Sequence, residues 1–443
     1  MTKPEQRPLW RTWNRPHPVL VAILGLSILL RLAVALYLGD VVDAPPLLTD
    51  QRSYHGLGAR LIAGHGFSFG TPWYPFTPPD TPTAHWSFLY SLYVALVYGA
   101  FGVHPLAARL VGAVLSGLLL PWLVYRLARR LFPGQRPVAL LAAGCAGLYA
   151  YFVLYGATLM TESFYIAALL WTLERSMALA ERPTLAGGAV LGLGLGLATL
   201  LRQSILPWVP VLYLWLLWAG RRAGQLQRTG AGLLAATAVL ALSILPFTLR
   251  NYRAYGSFLL LNSNTGYAMY SAQHPLHGAS FQEFTPAPVP AELRGLDEAQ
   301  LDRELLRRGT GFVLAEPSRY LRLSLSRVRD YFEFWPTPGT TLLHNLGRTG
   351  SFGLFLPFMV GGLWLALRAA GPDRTRDSWL RFSTTPPALA LLFMAFYSLL
   401  HILTWAIPRY RLPVDAVALP FAALALVALA RWVSCRLAPR RQV

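Results

Sequence analysis

Long apolar runs dominate this chain, and short loops rich in arginine separate them. The first run, 19–38, contains a single charged residue, Arg31. As a helix, a run of about 20 residues extends about 30 Å, the thickness of the hydrocarbon core of a bilayer. About ten such runs follow one another along the chain. The sequence therefore predicts an all-α polytopic membrane protein.

Composition supports this interpretation. Hydrophobic residues make up 54% of the chain and charged residues only 13%, while the formal net charge is +19. In a soluble protein such a charge would favour nucleic acid as a partner. Here most basic residues lie in short loops beside apolar runs, where they set the orientation of the helices in the membrane. We therefore predict membrane lipids as partners, and no nucleic acid.

The arginines define a single topology. Clusters follow alternate runs, so all of them lie on the side of the N-terminal basic residues, which the positive-inside bias places in the cytoplasm. The predicted spans are 19–38, 107–131, 138–155, 164–180, 185–201, 205–219, 231–249, 352–367, 388–406 and 414–430. The cytoplasmic groups are Lys3/Arg7/Arg11/Arg15, Arg126/Arg129/Arg130/Arg136, Arg175/Arg182, Arg221/Arg222/Arg228, Arg368/Arg374/Arg376/Arg381 and Arg431/Arg436/Arg440/Arg441.

The apolar run 86–101 is ambiguous. If it crossed the membrane, every later arginine cluster would move to the opposite side. We therefore predict a juxtamembrane or re-entrant helix, and the alternative is a full span paired with another span elsewhere.

Two large segments then face outward. We predict a transmembrane module at 1–249 whose first outer loop is 39–101, an external cap at 250–351, and C-terminal transmembrane helices at 352–443. Neither outer segment is long enough for a large independent domain. They are expected to cover the helix bundle and to enclose a cavity with it.

Asp50 is the first candidate for chemistry. It follows an extended, proline-containing stretch, 45–49, and opens an amphipathic helix on which Tyr54 lies. A carboxylate at this point would lie just outside the lipid and face the predicted cavity. The alternative is that Thr49 and Asp50 cap the helix, because an acid in the first turn suits the helix dipole. The two roles are compatible.

The segment 408–413, PRYRLP, places two arginines against the positive-inside bias. Its prolines favour an extended backbone, in which Arg409 and Arg411 lie on the same side. Two guanidinium groups on one side would form a phosphate clamp. The alternatives are that both arginines reach lipid headgroups, or that Arg411 pairs with Asp415.

Further charges lie at the outer ends of spans. Arg250 and Arg202 each follow an apolar run, and Glu162 precedes one. Each arginine could simply end a helix, since cations suit C-termini, and Glu162 could be a first-turn acid with Thr161 as the cap. Three basic groups on the unfavoured side favour an anionic ligand instead.

Metal and nucleotide motifs are missing from the sequence. It contains no HExxH, no paired CxxC and no glycine-rich nucleotide loop after a strand. The glycines at 187–196 are interpreted as small residues that allow membrane helices to pack closely. We therefore predict no metal site and no cofactor.

The order of motifs resembles that of bacterial GT-C membrane glycosyltransferases, the relatives of protein O-mannosyltransferases and of the aminoarabinose transferase that modifies lipid A. The resemblance covers nearly the whole chain. It rests on DQRSY (50–54), ARLIAGHG (59–66), PTAHWSFLY (82–90), FGVHPLAAR (101–109), LMTE (159–162), LPFTLRNY (245–252) and PRYRLP (408–413).

This resemblance implies a GT-C fold and an inverting transfer of sugar from a polyprenyl-phosphate carrier. It places the catalytic base at Asp50, whereas phosphate binding by Arg409 and Arg411, with Arg250, follows from their charge. Many relatives have an acidic pair at the first motif, where this chain has Gln51. The remaining substrate-binding candidates are Tyr54, His85, Glu162 and Arg202.

The implied location is the bacterial inner membrane, with the active site on the periplasmic or extracellular side. The acceptor is left open as a glycan, a lipid or a protein. Two other functions compete with this prediction, an O-antigen ligase or polymerase that uses a diphosphate donor, and a transporter of lipid-linked sugars without chemistry. Transporters usually hold ionisable groups near the bilayer midplane, whereas here these groups lie at the outer surface.

Overall fold

The computed structural model describes residues 17–42, 50–281, 285–337, 342–370 and 375–437. These residues form helices and loops, with two isolated β-bridges, Ser68 to Pro82 and Trp73 to Thr77, in place of any sheet. The α-helices are, in chain order, α1 (Pro18–Leu38), α2 (Asp50–Ile62), α3 (Phe88–Phe101), α4 (Pro105–Leu131), α5 (Arg136–Leu148), α6 (Ala150–Gly156), α7 (Glu162–Glu181), α8 (Leu185–Leu201), α9 (Trp208–Arg222), α10 (Leu226–Tyr255), α11 (Thr265–Gln273), α12 (Glu298–Ala315), α13 (Pro317–Tyr331), α14 (Leu342–Arg348), α15 (Leu354–Ala370), α16 (Arg376–Phe382), α17 (Pro386–Leu403) and α18 (Pro408–Leu437).

All ten predicted apolar runs form helices. Within the described residues, seven helical segments are long and apolar enough to cross a membrane, and α5 with α6, bent by 57°, make an eighth if counted as one span. The other two runs form α8, which has only 17 residues, and α7, which carries Glu174 and Arg175. The chain is therefore a multi-pass, all-helical membrane protein, as predicted.

The ambiguous run 86–101 forms α3, a helix of 14 residues that is too short to cross a bilayer as a straight span. The side chain of Ser87 caps it by accepting from the backbone N–H of Tyr90 at 3.3 Å. α3 packs on α2 and α4, and its buried face includes Tyr90 and Val94. This agrees with the predicted juxtamembrane helix.

Small residues bring α8 and α10 into backbone contact. A Cβ atom on Gly188 would lie 1.9 Å from the Gly232 carbonyl oxygen, and one on Gly192 would lie 2.3 Å from that of Ala236. Any larger residue would push the two helices apart. The glycine-rich sequence of α8 is thus explained by close helix packing in the membrane.

A small cap covers one end of the bundle. It contains α11, α12 and α13, and it has its own apolar cluster, which includes Tyr267, Tyr270 and Leu305. Glu298 at the start of α12 ties the cap to the first outer loop, because its carboxylate accepts from Thr77 Oγ1 at 2.6 Å and from the N–H of Ala84 at 2.8 Å.

Candidate active site

Asp50 occupies the first turn of α2, at the end of the bundle that the cap covers. Its Oδ2 atom accepts a hydrogen bond of 2.9 Å from Nη1 of Arg409. The two residues are far apart in the sequence, and α18 brings Arg409 to this point because it begins at Pro408. The stretch 45–49, with the predicted Thr49 cap, lies outside the described residues.

Glu162 contacts the arginine of this pair. It begins α7, and its side chain is 3% exposed. Its Oε1 atom lies 3.3 Å from Nε of Arg409 and also accepts from Nη2 of Arg202. Thr161 does not cap α7 with its side chain. Its hydroxyl oxygen instead accepts from Nε of Arg202 at 2.9 Å.

These contacts define a cluster of two carboxylates and two guanidinium groups, Asp50, Glu162, Arg202 and Arg409, which we call the outer cluster. Its members come from the start of α2, the start of α7, the end of α8 and the start of α18. Tyr410 lies against both cations, with its ring centroid 5.5 Å from Cζ of Arg202 and 5.5 Å from Cζ of Arg409.

Exposure differs across the outer cluster. The side chain of Asp50 is 25% exposed, whereas that of Glu162 is almost fully buried. Asp50 and Arg409 thus form the solvent-accessible part of the outer cluster, and Glu162 forms its buried part. Because a buried charge needs a partner of opposite sign, Glu162 holds Arg202 and Arg409 beside each other.

Tyr54, one turn after Asp50, is buried beside the outer cluster. Its ring packs edge-on against Trp86 and Tyr90. Burial, together with the negative charge of Asp50, raises the pKa of the Tyr54 hydroxyl well above its usual range. Tyr54 is therefore a neutral group in the wall of the site.

Gln51 and Arg109 brace the site, a role that was not predicted from the sequence for either residue. Oε1 of the fully buried Gln51 accepts from Arg109 Nη2 at 2.9 Å and from the N–H of Leu159 at 3.0 Å. Arg109 also donates to the carbonyl oxygens of Leu38 and Val41, at 3.2 and 2.6 Å. This network ties the beginning of α2 to the loop before Glu162.

The prediction that Arg409 and Arg411 share one side of an extended segment is wrong. Residues 408–437 form α18, and residues two apart in a helix point in nearly opposite directions. Arg411 is completely buried. Its Nε donates to Asp415 at 3.0 Å and its guanidinium lies over the ring of Phe352. The alternative pairing with Asp415 is the one that the structure contains.

Arg250 is also absent from the outer cluster. Its Nη1 donates to the carbonyl oxygen of Thr83 at 2.8 Å and its Nη2 to that of Phe67 at 3.1 Å. These bonds hold two segments of the first outer loop, at Phe67 and Thr83, against the end of α10. The expected contact between Arg250 and a phosphate is therefore not supported by the geometry.

His85 lies beneath the cap rather than at the outer cluster. It lines a small cavity with Tyr267, Glu298 and Asp302. Burial lowers the pKa of its imidazole, which favours the neutral ring. Within the part of the chain that the structure describes, no three His, Cys, Asp or Glu side chains are grouped so as to hold a metal ion.

Comparisons with known proteins give a family match for part of the chain and show its fold. The family model described as dolichyl-phosphate-mannose-protein mannosyltransferase matches residues 84–247, which include Glu162 and Arg202 but not Asp50 or Arg409. A search of curated protein sequences finds no match.

Solved structures share the fold at low sequence identity. The archaeal oligosaccharyltransferase AglB from Archaeoglobus fulgidus, in complex with an inhibitory peptide and a dolichol-phosphate, matches with a TM-score of 0.58 and 13% identity over 98% of this chain and 53% of its own. ArnT from Cupriavidus metallidurans bound to undecaprenyl phosphate matches with a TM-score of 0.52 and 15% identity over 94% of this chain and 63% of its own.

The fold is thus the GT-C fold, and the predicted resemblance to GT-C enzymes related to protein O-mannosyltransferases and to the aminoarabinose transferase is confirmed. The chain spans about half of the length of the oligosaccharyltransferase chain that it matches.

Proposed function

We propose that this protein is an inverting glycosyltransferase that moves a sugar from a polyprenyl-monophosphate carrier to a glycan, lipid or protein acceptor. The observation that carries the proposal is the pair of Asp50 and Arg409, which lie 2.9 Å apart and partly open at the capped end of the bundle. A carboxylate and a guanidinium at one site match the two ends of a glycosyl transfer, proton removal and phosphate departure.

In the proposed reaction, the acceptor O–H or N–H attacks the anomeric carbon while Asp50 takes its proton. A new bond forms between the acceptor atom and the anomeric carbon. The bond from that carbon to the phosphate oxygen breaks, and its electron pair stays on the carrier phosphate. Arg409, with Arg202 beside it, stabilises the charge that develops there.

The distribution of arginines supports an orientation. Because the outer cluster lies at the end opposite the arginine-rich loops, the positive-inside bias places it outside the cytoplasm. We therefore propose a bacterial inner membrane protein with its site on the periplasmic or extracellular side. The donor lipid would reach Arg409 from the outer leaflet.

The test uses the purified full-length chain, synthetic polyprenyl-phosphate sugars and a panel of acceptors, with release of polyprenyl phosphate as the readout. Removing a general base typically costs 10²- to 10⁴-fold, so we expect an Asp50→Asn variant to lose about that factor in kcat while it still binds the donor. Asp80→Asn is the matched control, because Asp80 lies in the same outer loop, 69% exposed, and pairs only with Arg60 among the described residues.

Three outcomes would overturn the proposal. Full turnover by Asp50→Asn would exclude Asp50 as the base. Turnover with diphosphate but not monophosphate donors would indicate the ligase or polymerase class. Movement of lipid-linked sugar across vesicles without any transfer product would indicate a transporter.

A further inference from the structure

The first outer loop contains a short hairpin from Trp73 to Thr77, which we call the loop hairpin. Its two end residues exchange backbone hydrogen bonds of 2.9 and 2.8 Å. Nε1 of Trp73 donates to Oγ of Ser53 at 2.9 Å, one turn after Asp50 on α2. Oγ1 of Thr77 donates to the carboxylate of Glu298 in the cap at 2.6 Å. The loop hairpin is therefore fixed between the cap and the helix that begins with Asp50.

Tyr74 follows Trp73 in the loop hairpin and is 48% exposed. Its ring makes two edge-on contacts, with His85 at 6.0 Å and with Tyr267 of the cap at 5.4 Å between ring centroids. About half of the residue is thus open to a ligand, while aromatic neighbours hold its ring in place.

Tyr74 also lies close to the outer cluster. Desolvation raises the pKa of its hydroxyl, and Tyr267, Tyr410 and Asp50 contribute to the same shift. Because charges are screened over about 10 Å, these contributions place Tyr410 and Asp50 near the hydroxyl. Tyr410 in turn packs against Arg409, the ion partner of Asp50. Tyr74 and Tyr410 therefore border the same site.

A polar atom without a partner lies beside this ring. His85 is 9% exposed, and its Nδ1 atom is buried and has no hydrogen-bond partner within the described part of the chain. Buried polar atoms are normally satisfied by protein, ordered water or a ligand. A ligand that carries hydroxyl groups and contacts Tyr74 would bring such groups next to His85.

An exposed aromatic ring near a carboxylate favours a sugar as the ligand. The faces of a sugar ring present C–H groups, which suit the negative face of an aromatic ring, and its hydroxyl groups both donate and accept hydrogen bonds. An acyl chain lacks the hydroxyl groups, and a free phosphate lacks the C–H faces. Sites that combine aromatic walls with a few polar groups bind small molecules in this way.

We propose that Tyr74 is the platform on which a sugar ring stacks beside Asp50. The inference rests on the proposed function, in which the donor carries such a ring and a glycan acceptor would carry another. Tyr74 would then help to select the sugar, whereas Asp50 and Arg409 act on the bonds that form and break.

The first experiment measures binding without turnover, so its result does not depend on the role of Asp50. Purified full-length protein is titrated with polyprenyl phosphate and with the same lipid carrying mannose, glucose or N-acetylglucosamine. An aromatic contact is worth a factor of about 2 to 12 in affinity, so Tyr74→Ala should weaken the preferred sugar-bearing carrier by that factor. Binding of the bare carrier should not change, which also shows that the variant is folded. Tyr74→Phe keeps the ring and should bind every carrier like the unmodified protein.

Tyr252→Ala is the matched control, because Tyr252 is another exposed tyrosine, 56% exposed, at the outer end of α10. It should bind all carriers like the unmodified protein. An equal loss in Tyr252→Ala would overturn the proposal, and so would an equal loss of the bare carrier in Tyr74→Ala.

Steady-state kinetics with a glycan acceptor separate the two sources of the sugar ring. Weaker binding of the sugar-bearing carrier assigns Tyr74 to the donor sugar. Unchanged carrier binding with a KM for the glycan acceptor raised by a similar factor assigns it to the acceptor. If Tyr74→Ala changes neither quantity, Tyr74 does not bind a sugar and the proposal is wrong.

Discussion

Two clusters of acids and arginines lie along the same helix, and they differ in how completely their carboxylates are bonded. α7 begins with Glu162 in the outer cluster, and about 18 Å further along it carries Glu174. Glu174 is 1% exposed and accepts from Arg126 and Arg130, each at 3.0 Å, and from Arg175 at 2.5 Å. We call Glu174 and these three arginines the inner cluster.

In the inner cluster the one buried carboxylate accepts from three guanidinium groups, so neither of its oxygens is left for a ligand. In the outer cluster the most exposed acid, Asp50, has Arg409 as its ion partner among the described residues, and Oε2 of Glu162 has no hydrogen-bond partner there. The same side-chain chemistry thus serves two purposes. A buried carboxylate whose two oxygens are both bonded stabilises helix packing, whereas a partly exposed carboxylate with one ion partner remains accessible to a substrate.

The largest expected effect is on the stability conferred by the inner cluster. Glu174→Gln would remove the buried carboxylate that three guanidinium groups share, while Arg130 keeps its ion pair with Glu181. Breaking a buried ion pair costs about 3–5 kcal/mol. We expect a clearly lower melting temperature in detergent and an unchanged kcat per folded molecule. Asp50→Asn should do the reverse. A Glu174→Gln variant with normal stability and low kcat would contradict the contrast between the clusters.

The second prediction separates the two arginines of α18. Arg409→Ala should lower kcat/KM about 10²- to 10³-fold with little change in stability, because it removes a cation from the proposed leaving group. Arg411→Met should mainly destabilise the protein, because it leaves Asp415 buried without its ion partner. Steady-state kinetics and thermal unfolding of both variants check this, and equal kinetic losses in the two would refute it.

The third prediction concerns pH and the cavity beneath the cap. Burial raises the pKa of Asp302 from its ordinary value of 3.8 to about 6. The protonated form is therefore favoured by folding, so the stabilisation is complete at pH below about 4 and is lost as the pH rises through about 6. The size of this pKa shift limits the contribution of Asp302 to the free energy of unfolding to about 3 kcal/mol.

Comparing the unmodified protein with an Asp302→Asn variant separates the effect of Asp302 from that of His85. Burial lowers the pKa of His85, so its contribution to stability changes with pH in the opposite direction. The asparagine variant keeps an acceptor for the N–H of Gly266, which donates to Asp302 at 2.7 Å. The difference in melting temperature, unmodified protein minus variant, should fall between pH 4 and 7. A constant difference would contradict the raised pKa.

Much of this architecture could be predicted because the membrane imposes simple rules. Apolar runs of bilayer length have to form helices, and arginines report which ends share a side. That logic placed a set of charged residues at the outer end of the bundle: Asp50, Glu162, Arg202, Arg250, Arg409 and Arg411. Four of them, Asp50, Glu162, Arg202 and Arg409, meet there. When successive helices of a bundle alternate in direction, the helix ends that carry charges against the positive-inside bias all lie on the same side of the membrane.

The side-chain directions could not be predicted in the same way. The prolines at 408 and 413 indicated an extended segment, yet Pro408 begins α18, where its missing N–H costs nothing, and Pro413 is tolerated one turn later. The wrong prediction of an extended segment placed Arg411 at the site, whereas it lies in the protein interior. Arg250 was misassigned because its partners are backbone carbonyl groups of a distant loop, which no residue pattern reveals.

The brace of Gln51 and Arg109 could have been predicted in part from the sequence. Arg109 lies within the predicted span 107–131, and an arginine at that depth needs partners inside the protein. The structure supplies them as the carbonyl oxygens of Leu38, at the end of α1, and Val41, and as the side chain of Gln51. The residue that follows Asp50 thus helps to set the distance from α2 to the loop before Glu162.

This brace gives the smallest and most specific prediction. Gln51→Leu removes the acceptor shared by Arg109 and Leu159, and a loss of about one hydrogen bond to a charged group predicts a kcat lower by roughly tenfold. Gln51→Glu keeps an acceptor oxygen at the same place, so it should recover most of the kcat while donor KM stays unchanged. Because a purely structural defect would lower the melting temperature of both variants, that measurement is made beside the kinetics. If Gln51→Glu is as slow as Gln51→Leu at equal stability, then Gln51 does not act by holding α2 in position. The position of Asp50 would then depend on its ion pair with Arg409, which Glu162 in turn contacts.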